Sequence, residues 1–147
     1  MKTIFVPLDF SDVTAPQLEL MQTHLPDGPC RVILAHVHHA EAPLDNATSI
    51  EVDREYATVE RGQLAEAVQR TRSNLATREE VVVESMFCSG PVSATLLSII
   101  DVEKVDLVVM GTHGHGRLFS LVMGSVAEAL LRKSQVPVLF VPPIKDA

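Results

Sequence analysis

Five short apolar runs alternate along this chain with four segments of helical period, and that alternation leaves few folds open. The runs are Lys2–Leu8, Arg31–Val37, Val81–Phe87, Val105–Met110 and Val136–Val141. Between them the spacing predicts helices from Ser11 or Asp12 to about His24, over Asp53–Ala76, over Val92–Ile100 and over Ser125–Lys133. Ser11 or Asp12 is the expected cap of the first helix, and Pro16 fits its first turn. In the second, Tyr56, Val59, Leu64, Ala67, Val68 and Leu75 are the apolar positions. Pro26-Asp27-Gly28-Pro29 and Gly90-Pro91 read as turns. The polar stretch from His39 to about Val52, which contains Pro43, is expected to be a mobile loop. Strands alternating with helices specify a parallel sheet covered on both faces and joined by right-handed crossovers.

In such a sheet a ligand sits beyond the carboxyl ends of the strands, where the strand order reverses. Three strand ends carry suggestive chemistry: Pro7, Leu8 and Asp9; Val37 and His38; Met110 and Gly111. They converge on one crevice if the first and fourth strands are neighbours. The stretch Val105–Leu131 strengthens the case. A buried strand runs into Gly111 and Gly114, and Gly124-Ser125 opens the last helix. Glycines admit close approach of backbone N–H groups to an oxygen, and a helix start adds donors and a positive dipole end.

Composition sets the bounds. With 147 residues, 46% of them hydrophobic, the chain is long enough for one domain with a real core. A net charge of −7 argues against nucleic acid or anionic lipid as partner. Any bound polyphosphate must then be held by local donors. No apolar run approaches a bilayer-spanning length and no basic-then-apolar leader opens the chain, so a cytoplasmic location without membrane insertion is expected. Cys30 and Cys88 read as two buried free thiols.

The glycine motif is not a P-loop, since no lysine precedes Ser125. Nor is it the dinucleotide fingerprint, because Gly111-x-x-Gly114-x-Gly116 follows a late strand. Gly111, Gly114, Gly124 and Ser125 instead fit G-x2-G-x9-G-[S/T], which resembles the nucleotide-binding motif of the universal stress protein family. The likeness extends to KTIFVPLDFSD, VILAHV, CSGPVSATLLSIIDVEKVDLVVMGTHG and GSVAEALLRKSQVPVLFVP, nearly the whole chain. It implies a Rossmann-like five-stranded parallel sheet of order 3-2-1-4-5, usually dimeric, in the branch that binds ATP, AMP or ADP, with Mg2+. Carried over, Asp9 would contact the adenine or ribose side and Val37 the base. Gly111, Thr112, Gly114, Gly124, Ser125 and Val126 would line the ribose and phosphates, with Pro7, Leu8, Met110, His113 and His115 beside them.

Other readings stand beside this one. Asp9 also suits a helix cap. His36 and His38 share a strand face and invite a metal, but strand-end histidines are more often simply hydrogen-bonded. They cluster in sequence with His24 and His39, and Arg117 is equally a phosphate partner or a solvated side chain. Phosphoryl transfer needs charge neutralisation, usually by a lysine and a carboxylate-held Mg2+; the motif lacks the lysine, so binding with little or no catalysis is expected. A slow ATP hydrolase, an adenylyl-transfer enzyme and a dimeric module with an empty site are the alternatives. In the 3-2-1-4-5 order Val136–Val141 lies at a sheet edge, which predicts a homodimer through this strand with Val138 and Phe140 near the contact.

Overall fold

The computed structural model describes residues 1–40, 43–112 and 123–143. Nine elements follow in order: β1 (Lys2–Pro7), α1 (Thr14–Thr23), β2 (Cys30–His38), α2 (Ala47–Asn74), β3 (Val81–Ser89), α3 (Val92–Val102), β4 (Leu107–Gly111), α4 (Ser125–Lys133) and β5 (Val138–Val141). The strands form one parallel sheet of order β3-β2-β1-β4-β5, as expected.

Side chains alternate across the sheet, so each strand feeds two cores. Ile4, Val6, Val32, Leu34 and Val109 pack with Leu18 and Met21 of α1 and Leu64 and Val68 of α2. Phe5, Ile33, Ala35, Val108 and Met110 pack with Leu96, Ile99 and Ile100 of α3 and Ala127 and Leu130 of α4. Each fully buried side chain of this kind stabilises the fold by about 1.5–3 kcal/mol relative to exposure.

Several boundaries differ from the expectation, each for a local reason. Residues 47–52, expected in a loop, are instead the start of α2, because Asn46 and Ser49 form a reciprocal capping box. Neither Ser11 nor Asp12 is the N-cap of α1; the chain first makes a turn, Thr14 N–H to Ser11 O, and the cap position falls on Val13. Val105 precedes β4 because its N–H returns to Ile100 O, closing α3, while Lys104 takes a left-handed φ of 53°. Val136 is held in a turn by the Ser134 hydroxyl, so β5 starts after Pro137.

The inner face of α2 departs from its apolar pattern. Tyr56 and Val59 are 64% and 61% exposed, whereas Asp53 and Glu60 are turned to the sheet. Leu64, Val68 and Thr71 continue that face as the buried residues of the helix. Of the two thiols, Cys30 is buried and Cys88 only partly so. Burial pushes the Cys30 thiol above its ordinary range, as for an inert structural cysteine.

Candidate functional site

The site begins with a proline. Its ring removes the N–H that Pro7 would donate to β4, and the β1–β4 pairing ends at Phe5 and Val108. Beyond that point the two strands splay, leaving the carbonyls of Pro7 and Val109 without strand donors. Gln17 of α1, 2% exposed, fills the gap: its Nε2–H groups donate to Pro7 O at 2.7 Å and to Val109 O at 2.9 Å. Gln17→Leu should cost about 1–3 kcal/mol in chemical denaturation, because it orphans both buried carbonyls; an unchanged midpoint would contradict this role.

The splay opens a crevice of about 330 Å3 where the sheet order reverses. That volume lies within the range of small-molecule sites. Pro7, Leu8 and Asp9 line it from the end of β1, and Val37 from β2. Met110, Gly111 and Thr112 line it from the end of β4, and Gly124, Ser125 and Val126 from the start of α4. Every site residue expected from the sequence that falls among the described residues is thus at this one crevice. His113, Gly114, His115 and Arg117 lie outside the described residues.

Each wall has its own chemistry. Val92 and Leu96 of α3 add an apolar side beside Val37 and Met110. Opposite stands a helix start. Gly124, at φ −64° and ψ 156°, is the N-cap of α4, and its N–H donates to Thr112 O at 2.8 Å, tying the helix to the β4 end. The first bond within the helix runs from Glu128 N–H to Gly124 O. The N–H groups of Ser125, Val126 and Ala127 therefore have no partner inside α4, and no side chain among the described residues caps them. Orphan donors at a positive dipole end suit an anion. Asp9 is exposed at the crevice and accepts a hydrogen bond from Ser11 N–H at 3.0 Å, so it orders its own turn rather than capping α1.

Among the described lining residues there is no lysine or arginine. The donor set can hold an anionic, partly apolar ligand.

Sequence reasoning missed Gln17, Val92, Leu96 and Ala127 as lining residues, and it underrated His36. Gln17 was detectable as a polar residue in register with Leu18 and Met21 on the buried side of α1. His36 lines the crevice, and its ring bonds to Leu8 O and to Glu60. His38 bonds to Glu60 and Asp53. Both histidines are thus hydrogen-bonded, and among the described residues no group of His, Cys, Asp and Glu side chains is placed to hold a metal ion. His24 bonds locally to Leu20 O and Thr23.

Comparison with known proteins follows the same lines. The family model described as the universal stress protein family matches residues 1–142. A universal stress protein of Methanocaldococcus jannaschii, MJ0577, is 27% identical over 152 residues, covering 95% of this chain and 94% of that protein. Its solved structure superposes with a TM-score of 0.78 at 25% identity, covering 99% of this chain and 98% of the other. A universal stress protein of Synechocystis is 34% identical over 73 residues, 46% of this chain and a quarter (25%) of that longer protein. Two further solved structures share the fold. One from Arabidopsis thaliana, with AMP bound, has a TM-score of 0.63 at 12% identity over 96% and 91% of the chains. One from Archaeoglobus fulgidus, in complex with dAMP, has a TM-score of 0.57 at 20% identity over 95% and 97%. The sequence motif, the strand order and the family match agree, and the chain belongs to the universal stress protein family.

Proposed function

We propose that this chain is an adenine-nucleotide-binding protein of stress response or signalling. It holds ATP, with Mg2+, in the crevice between the ends of β1 and β4, and acts through occupancy rather than turnover. The observation that carries the reading is the juxtaposition of an apolar wall with the uncapped start of α4 across the splayed strands. The base and ribose fit the side formed by Asp9, Val37 and Met110. The phosphates fit the N–H groups of α4, joined by Gly111, Thr112 and Gly124, and we assign His113, Gly114 and His115 to the same ligand on the motif alone. That two structures of the fold carry AMP and dAMP supports the same ligand class. Among described residues Asp9 is the one carboxylate lining the crevice, so Mg2+ would be held chiefly by phosphate oxygens and water. We place the protein in the cytoplasm as a homodimer joined along β5.

Mass spectrometry of small molecules released on denaturing the purified protein tests the ligand class. Release of adenine nucleotide is expected, and release of a chemically different cofactor would overturn the assignment. Steady-state ATP turnover should lie far below about 10 per second, a typical enzyme median. Turnover near that value, abolished by one substitution in the crevice, would establish an enzyme instead.

A further inference from the structure

The face of β2 that meets α2 carries His36 and His38, both buried. Against them α2 lays Asp53 and Glu60, two turns apart on one helix face. His36 Nδ1–H donates to Leu8 O at 2.6 Å, and His36 Nε2 meets Glu60 Oε2. His38 Nδ1 is 2.7 Å from Glu60 Oε1, and its Nε2 is 2.7 Å from Asp53 Oδ1. All four ring nitrogens thus face oxygens. A carbonyl or an ionised carboxylate only accepts, so each contact needs a proton on nitrogen. Two neutral imidazoles supply two protons, and the network requires two more. With both rings charged, two cations face two carboxylates and the cluster is neutral.

This network touches the crevice directly. His36 lines it, and Leu8, whose carbonyl receives the His36 proton, lines it too. Phe10, at a left-handed φ of 61°, lies with its ring centroid 4.7 Å from that of His36. A non-glycine residue in that region is strained and persists only where its surroundings hold it. His36 is one of those surroundings, and Asp9 sits between Leu8 and Phe10.

We propose that the His36–Glu60–His38–Asp53 network is a proton-dependent latch on the nucleotide crevice. Protonated, it seats α2 on β2 and holds the Leu8–Phe10 turn in the shape that accepts nucleotide. As pH rises through the histidine range the network loses protons, ring lone pairs face carboxylates, and nucleotide affinity falls. The inference rests on the crevice being the nucleotide site.

The other charged and ionisable neighbours do not replace these protons. From α2, the Arg61 guanidinium lies 4.0 Å from the Phe87 ring centroid, and Tyr56 borders an outer cavity with His39 beyond Asp53 and Glu60. From the turn after β1 comes Asp9. The β3 side contributes the Phe87 ring, 5.8 Å from His36 and 6.4 Å from His38, and α1 contributes the uncharged Gln17.

His38 agrees in direction. Burial acts to lower its pKa, but hydrogen bonds from its ring to Glu60 and Asp53, with the charges of both, outweigh burial and raise it above its ordinary 6.5. A folded-state value above the unfolded one means stabilisation fully present below about 6.5 and lost as pH rises through the raised value.

The test is ATP binding to the full chain by calorimetry, with magnesium, at about pH 6 and about pH 8.5, in wild type and His38→Gln. Ionisation of ATP itself is common to both proteins. Wild type should weaken about tenfold more than the variant between the two conditions. Equal pH dependence in two proteins that both bind ATP overturns the latch and leaves the nucleotide site standing. No binding by wild type at either pH overturns the nucleotide site itself. Ring 15N shifts of His38 in wild type read its protons without any variant. A doubly protonated ring at about pH 6 is expected, and a neutral ring there overturns the latch. A stoichiometric divalent metal retained after bound nucleotide and its magnesium are removed would also overturn it, since one such ion replaces both extra protons.

Discussion

Gly124→Val is expected to abolish nucleotide binding, by about 100-fold or more in affinity, which is about 3 kcal/mol, while leaving the fold intact. Gly124 sits at the crevice as N-cap of α4. A valine there adds a branched side chain beside the orphan N–H groups of Ser125 and Val126, where a phosphate would sit. Its backbone, at φ −64° and ψ 156°, lies in the extended region that β-branched residues favour, so no strain from a positive φ arises. The N–H that donates to Thr112 O is kept as well. Calorimetry with ATP should therefore show lost binding, and denaturant unfolding should move by no more than about 1 kcal/mol. Undiminished affinity would show that the phosphates lie elsewhere.

Val138→Asp is expected to convert a dimer into a monomer. The ladder bonds Val108 N–H to Pro137 O and Thr112 N–H to Val141 O turn the odd-numbered residues of β5 toward β4. By alternation, the backbone groups of Val138 and Phe140 face the open edge of the sheet. An apolar edge strand with free donors and acceptors is a template for pairing, and an identical strand on a second copy closes a two-fold interface. Aspartate at the centre of that contact would place like charges opposite each other in the pair. Sedimentation should find wild type dimeric at tens of micromolar, an order of magnitude at which specific dimers persist. A wild-type monomer there contradicts the idea. Because Val138 also packs on the α3–α4 core, protection of the Phe140 amide from hydrogen exchange in wild type supplies a second reading. A dimer that leaves this amide unprotected uses another surface.

Much of this architecture was legible because strand and helix periods differ sharply. The five apolar runs become the five strands, and the glycine register places Gly111 and Gly124 on one crevice. What escaped was non-local or concealed by residue type. Asn46 with Ser49 is a capping box built on serine rather than on glutamate or glutamine, so polar residues 47–52 looked like loop. Asp53 and Glu60 face the sheet because His36 and His38 await them on β2, and hydropathy alone assigned the inner face to Tyr56 and Val59. Gln17 owes its place to a carbonyl orphaned by Pro7, a pairing of residues on different elements.

Titration of the purified protein with ATP up to about 1 mM, followed by calorimetry, tests the central claim most directly. A saturable heat with one site per chain is predicted, lost in Gly124→Val. Absence of heat at that concentration, where even a millimolar complex of about −4.1 kcal/mol would be half formed, contradicts it.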